Sequence, residues 1–287
     1  MFTKTFAEYK SEAARYITVF ESPFFPDYLD VANTIYRSVL KRFDELLHEA
    51  DSSQNLLLRI GREPNPSRTQ QMRVFRKYVS PDTSVEMLKN VKKLPTVIEN
   101  FGERFRKIDD VRDVFEKRPP ADETLMALLY EYSLRGQKGY QLTEAFFLWF
   151  EERFRGEYII SGPARAGKDV SLDTVLPNYH SKTPADIYIQ RKDGTPILVG
   201  FARYDSDRGG AQEDDRTGGN QDKVTTLLAY SAKERLPLRI FFLNDGPGLL
   251  LGSMWNDYAY LENLDDRVLV STLKMLDTRF TKVWLES

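Results

Sequence analysis

The stretch PADIYIQRKDGTPILVGFAR, residues 184–203, decides the fold. Asp186–Gln190 alternates with period two, Lys192-Asp193-Gly194 is a hairpin turn signal, and Ile197-Leu198-Val199 is a continuous apolar run. Together they predict a β-hairpin with one buried strand. Working outward, Tyr158-Ile159-Ile160 is a short apolar run upstream. Downstream come a long polar loop at 204–220, a helix at 222–234, a buried strand at Leu238–Leu243 and a further strand at Leu249–Leu251. The earlier part of the chain is helical in pattern. Residues 4–20 and 27–50 read as amphipathic helices, the second with Tyr28, Val31, Ile35, Val39, Phe43 and Leu46-Leu47 at helical spacing. The polar, proline-bearing stretch 62–71 is a loop, and helix resumes over Gln70–Tyr78. Ser80-Pro81-Asp82 then reads as a cap opening helices at 81–94 and 95–117, followed by 122–134 and Thr143–Phe154. The predicted class is α/β (α+β). A mainly helical region spans 1–134, and a mixed sheet flanked by helices spans 135–287.

The chain has 287 residues, enough for one large domain or two modest ones with a sizeable core. Hydrophobic residues at 41% and charged residues at 29% fit a soluble globular protein rather than a disordered one. Net charge is −2, so any polyanion partner must meet positive charge gathered locally. Cysteine is absent, which excludes disulfides, zinc–thiolate sites and thiol nucleophiles. His48 and His180 are too far apart for an HExxH zinc site. A metal here would be held by carboxylates, which favours Mg²⁺ or Mn²⁺. The opening residues alternate charge with aromatics and contain no long apolar run, so a cytoplasmic protein with neither a signal peptide nor a membrane span is expected.

Asp186 opens one strand of the hairpin, and Gly200 lies fourteen residues later near the end of the next. A carboxylate on one such strand and an acid-x-lysine on the other would gather two acids and an amine. The acids would hold Mg²⁺, which activates water and offsets charge growing on a phosphodiester. Glu144, on a helix upstream, offers a further carboxylate. In this order of elements the chain resembles the PD-(D/E)XK nuclease superfamily, and within it type II restriction endonucleases. The order is a helix carrying Glu144, a strand with Pro184-Ala185-Asp186, a turn, an apolar strand, a polar loop, a helix and an apolar strand. The resemblance covers about residues 135–255. It implies that 135–287 is the nuclease core, that the helical 1–134 serves DNA recognition or dimerisation, and that Mg²⁺-dependent cleavage falls at a specific double-stranded sequence. It also implies a homodimer matching a two-fold DNA site. It assigns Asp186 and Glu144 to metal binding, and expects Glu at position 200 and Lys at 202, where this chain has Gly200 and Ala202. Two explanations stand side by side. A Glu→Gly replacement traps an uncleaved complex, or the acid has moved to Asp205, Asp207 or Glu144. On the first, Gly200→Glu is expected to raise cleavage. The resemblance leaves open a DNA-binding protein that has lost catalysis, and a repair or nicking nuclease.

The polar stretch 203–220 carries Arg203, Asp205, Asp207, Arg208, Gln212, Glu213, Asp214, Asp215, Arg216 and Asn220, side chains suited to reading base edges. As an EF-hand it fails, since Gly209 and Arg216 stand where ligands belong. Gly162–Asp169 matches the start of a phosphate loop, GxxxxGK, but Asp169 replaces the hydroxyl residue that would face Mg²⁺. Arg165 and Lys168 are better read as DNA-facing or plain surface charges. Residues 59–118 hold 15 Lys/Arg against 9 Asp/Glu. Within them Arg68, Gln70, Arg73, Arg76 and Lys77 form a mix suited to phosphate contact and base reading.

Overall fold

The structure, a computed structural model, describes residues 4–118, 122–163, 169–206 and 212–287, without the side chains of 134–136 and 212–217. The chain forms two compact units. One is Ser22–Leu134, and the other joins the described residues up to Glu21 with Arg135–Ser287.

The first unit is helical. Its main elements are α1 (Leu29–Glu49), α2 (Ser53–Arg62), α3 (Ser67–Tyr78), α4 (Leu94–Phe101), α5 (Ile108–Glu116) and the opening turns of α6 (Glu123–Phe154). α1 buries Ala32, Tyr36, Leu40, Phe43 and Leu47, a stripe stepping by three and four residues. Val31 and Ile35, predicted inward, are exposed, so the stripe is rotated by one residue. Tyr36 reaches inward to donate its hydroxyl to the Leu129 carbonyl at 3.0 Å. Ser52 caps α2, accepting the Asn55 N–H at 3.0 Å. The cap expected at Ser80 is instead at Ser84, which opens the short helix Val85–Lys89. The Ser80 hydroxyl is engaged with that of Thr83 at 2.6 Å.

The second unit is built on a five-stranded mixed sheet. Its strands are β1 (Tyr158–Ser161), β4 (Ile187–Arg191), β5 (Pro196–Tyr204), β6 (Arg239–Asp245) and β7 (Val268–Ser271), in the spatial order β1-β4-β5-β6-β7. β1, β4 and β5 are antiparallel, while β5, β6 and β7 are parallel. Two further short strands, β2 (Val170–Ser171) and β3 (Pro184–Ala185), make their own antiparallel pair. The predicted hairpin is present, with Gly194 at φ +87° in its turn and the Arg191 N–H donating to the Thr195 carbonyl at 2.9 Å.

Each face of the sheet has its own core. On one, Phe146, Phe147 and Phe150 of α6 pack on Ile187, Ile189, Leu198 and Phe241. On the other, α7 (Gln212–Glu234) and α8 (Met254–Glu262) cover Tyr188, Val199, Phe201 and Phe242. Three expectations are corrected. α7 starts at Gln212, within the predicted loop, and its glycine pair reads as a breaker although the preceding acids suit a helix N-terminus. Leu249–Leu251 is no strand, because Pro247–Leu250 forms a helical turn. The helix expected over 4–20 ends at Tyr16, and Ile17 is extended.

Candidate functional site

Asp186 stands between β3 and β4, where the chain passes from the small sheet to the large one. Its place is fixed twice. Its N–H donates to the Gly200 carbonyl at 3.0 Å, and its Oδ2 accepts the Ala202 N–H at 2.9 Å. Its own carbonyl lies against Gly162, where an added Cβ would come within 2.1 Å. Glycine is needed there for close backbone approach. The first glycine of the phosphate-loop-like motif therefore serves the strand junction.

Strand register decides which side chains share the face of Asp186. Ile187 pairs with Gly200 and Tyr188 with Val199. Ile187, Leu198 and Ala202 pack on the α6 side, while Tyr188, Val199 and Phe201 pack on the α7 side. Alternation then puts Asp186 with Phe201 and Arg203, and turns positions 200 and 202 to the opposite face. A Cβ on Gly200 would stand 2.9 Å from the Ile187 Cβ and 3.4 Å from Phe241 Cδ1. A glutamate at position 200 would therefore not face Asp186. The new carboxylate would enter an aromatic core instead of meeting Asp186.

A different set of groups meets Asp186. A cavity of about 240 Å³ lies toward the carboxyl ends of β5 and β6, with Asp186, Arg203, Asn220, Lys223, Asn244 and Tyr258 among its lining. Crevices at the carboxyl ends of parallel strands are the usual ligand sites of such sheets. Burial pushes the Asp186 carboxyl up, partly offset by the Ala202 N–H, and Asp169 pushes it further. Asp169 directly precedes β2, whose Val170 pairs with Ala185, so extending that register by one residue brings it beside Asp186. Lys223, on α7, lies over the Phe201 ring at 4.3 Å. Burial holds its ammonium below the ordinary lysine range, and Asp186 pulls it back up.

The remaining lining is polar. Arg203 is held by an ion pair with buried Asp205 at 2.6 Å. Asp205 in turn is tied to β6, its N–H donating to the Asp245 carbonyl at 2.8 Å. Burial and the Asp205 charge push Tyr258 up to about 12, so it presents a neutral hydroxyl. Asn244 is buried, and its amide nitrogen has no hydrogen-bond partner among the described residues.

Other predicted residues lie elsewhere. Glu144 lines a separate hollow with Phe20, Tyr140 and Leu148, not the Asp186 cavity. Asp207, Arg208, Arg165 and Lys168 fall outside the described residues. Gln212, Glu213, Asp214, Asp215 and Arg216 lie on the first turns of α7, with their side chains outside the description. In the helical unit, Arg73, Arg76 and Lys77 line one cavity. Gln70 accepts from Arg73 at 3.1 Å, and the buried Arg68 Nε has no hydrogen-bond partner among the described residues. Among the described residues no group of three or more His, Asp or Glu could hold a metal ion.

No family model, curated protein or solved structure matches this chain. Among the described residues no helix is long and apolar enough to cross a membrane.

The sequence places the functional region between Glu144 and Lys223, but neither Lys223 nor Asp169 stands out in it as a site residue. A signal existed for the lysine. Asn220, Lys223, Val224 and Leu227 fall on one helical stripe, and a lysine within a sheet-facing stripe is unusual. Asp169 gave no such signal, because only the pairing of β2 with β3 brings it near Asp186.

Proposed function

We propose that this chain is a Mg²⁺-dependent, sequence-specific double-strand deoxyribonuclease of the type II restriction endonuclease kind, built on the PD-(D/E)XK plan and acting as a homodimer. The observation that carries the reading is the meeting of Asp186 and Lys223 in one cavity at the carboxyl ends of parallel strands. The order α6-β1-β4-β5-α7-β6 supports it, since it repeats the run of elements on which the resemblance rests.

The donor set suits Mg²⁺, which takes one or two carboxylates and completes its shell with water and substrate phosphate. Asp186 would bind through Oδ1, as Oδ2 is held by the Ala202 N–H. Asp169 would be the second carboxylate. Bound there, Mg²⁺ would activate water and offset charge on the phosphodiester. Lys223, from the helix, would take the place expected for a lysine on β5 and stabilise the developing negative charge. Arg203 and Asn220 would orient the DNA at the cavity mouth.

Digestion of a mapped plasmid tests this. The native chain with Mg²⁺ is expected to give discrete fragments, and Asp186→Asn to give none. Lys223→Ala is expected to lower the rate at least ~100-fold, the scale of losing one positioned charge-stabilising group. Smearing or nicks alone would point to a repair or nicking nuclease. One observation favours a second reading, a nuclease-fold DNA-binding protein without catalysis. Phe201, not an acid, stands beside Asp186 on β5. Retardation of DNA with no cleavage in Mg²⁺ or Mn²⁺ would establish it.

A further inference from the structure

The helical unit contains a second polar cavity, of about 300 Å³. That is the lower end of the range for small-ligand sites. Arg73, Arg76, Lys77 and Lys89 bring four cations to it against one carboxylate, Glu86. Glu86 is already committed to Lys89, at 2.5 Å. Arg73, Arg76 and Lys77 have no carboxylate partner among the described residues. Each has a neutral anchor instead. The Arg73 guanidinium donates to Gln70 at 3.1 Å, and Arg76 Nε donates to the Pro81 carbonyl at 3.0 Å. Lys77 lies 5.5 Å from the centre of the Tyr132 ring. These anchors orient the cations without neutralising them. Like charges gathered round one concavity repel, and an anion held between them would relieve that repulsion.

The shape and donors narrow the anion. Two guanidinium groups offer several N–H donors in fixed planes, the geometry that fits tetrahedral phosphate oxygens. The Ser84 oxygen accepts the Met87 N–H at 3.2 Å, which leaves its hydroxyl hydrogen for an acceptor. The Tyr132 ring and Leu129 supply an apolar wall beside the cations. We propose that this cavity is a phosphate-binding site, with Arg73 and Arg76 gripping the phosphate and Tyr132 contacting whatever carries it. The cavity lies wholly within Ser22–Leu134, so the assignment holds whether or not Asp186 supports cleavage.

The phosphate could belong to a free nucleotide or to a DNA backbone, and calorimetric titration of the full chain separates them. The probes are inorganic phosphate, a nucleoside 5′-monophosphate and a short DNA duplex, each in low and moderate salt without Mg²⁺. Saturable phosphate binding by the native chain is expected, weakened at least tenfold in Arg73→Ala and Arg76→Ala and unchanged in Arg155→Ala, a cation of the other unit. Tyr132→Phe keeps the ring as a folding control. Tyr132→Ala that weakens the nucleotide but not inorganic phosphate assigns a nucleotide site. Equal weakening of phosphate and duplex by the arginine variants assigns a backbone phosphate. If phosphate fails to bind, or the arginine variants bind every probe as the native chain does while keeping native circular dichroism, the proposal is overturned. Loss of duplex affinity alone also overturns it, because that describes a diffuse basic face and not a pocket.

Discussion

Asp186 is held at its junction at a cost. Burial raises its pKa above the ordinary aspartate value, so the folded chain binds this proton more readily than the unfolded chain. The sign follows directly. Its contribution to stability is present in full at acid pH and is lost as pH rises through the raised pKa. At neutral pH the ionised group therefore opposes folding. Asp186→Asn is expected to raise stability at neutral pH, with the gain disappearing below about pH 4, as read by urea denaturation across pH. Cleavage is expected to show the opposite trend, falling as acid protonates Asp186. An Asp186→Asn variant that is less stable than the native chain at neutral pH would refute this account. Gly200 is constrained by packing in place of charge. Gly200→Ala must displace Ile187, whose Cβ would stand 2.9 Å from the new methyl group, and is expected to cost about 1–3 kcal/mol. The hairpin was legible in 184–203 because alternation and a Lys192-Asp193-Gly194 turn are local signals. The face on which each residue lands was not, since it depends on a one-residue choice of register.

At the level of elements, α7 is the informative case. Gly218 and Gly219 lie inside it, and an added Cβ at either would meet nothing within 4 Å. Glycine in a helix interior costs roughly 0.5–1 kcal/mol relative to alanine. Gly218→Ala is thus expected to stabilise the chain by about that amount in thermal unfolding. Gly219 lines the Asp186 cavity, so alanine there is expected to alter that site as well. The same glycines explain why the helix start was read as loop. Composition around 209–219 looks like a breaker, while the stripe from Asn220 to Leu227 is helical. In α1 the element was legible and its phase was not. Tyr36 and Leu40 are as apolar on one side as Val31 and Ile35 are on the other, and tertiary packing chose between them.

At the scale of the whole molecule, the sheet unit is closed by its first residues. The buried Glu262 carboxylate accepts the Phe6 N–H at 2.8 Å and pairs with the buried Arg279 guanidinium, which also donates to the Val270 carbonyl at 3.1 Å. Asp245 accepts the Thr18 N–H at 2.7 Å and the Leu273 N–H at 2.9 Å. Removing one member of a buried pair strands the other charge. Arg279→Ala is expected to cost about 3–5 kcal/mol, measured by denaturant unfolding of the full chain. A loss under about 1 kcal/mol would mean that the pair behaves like a surface one. None of this was legible in the sequence, since no local pattern links Phe6 to Glu262.

That closure gives the order of synthesis a meaning. Phe6 and Tyr16 find partners in Glu262 and Thr272, each 256 residues further along the chain. On the ribosome, the opening segment leaves the exit tunnel long before its partners are made. The helical Ser22–Leu134, whose core is complete within its own sequence, can fold meanwhile. Until residues 262–272 have been made, Phe6, Tyr9 and Ile17 lack the partners that bury them in the folded unit.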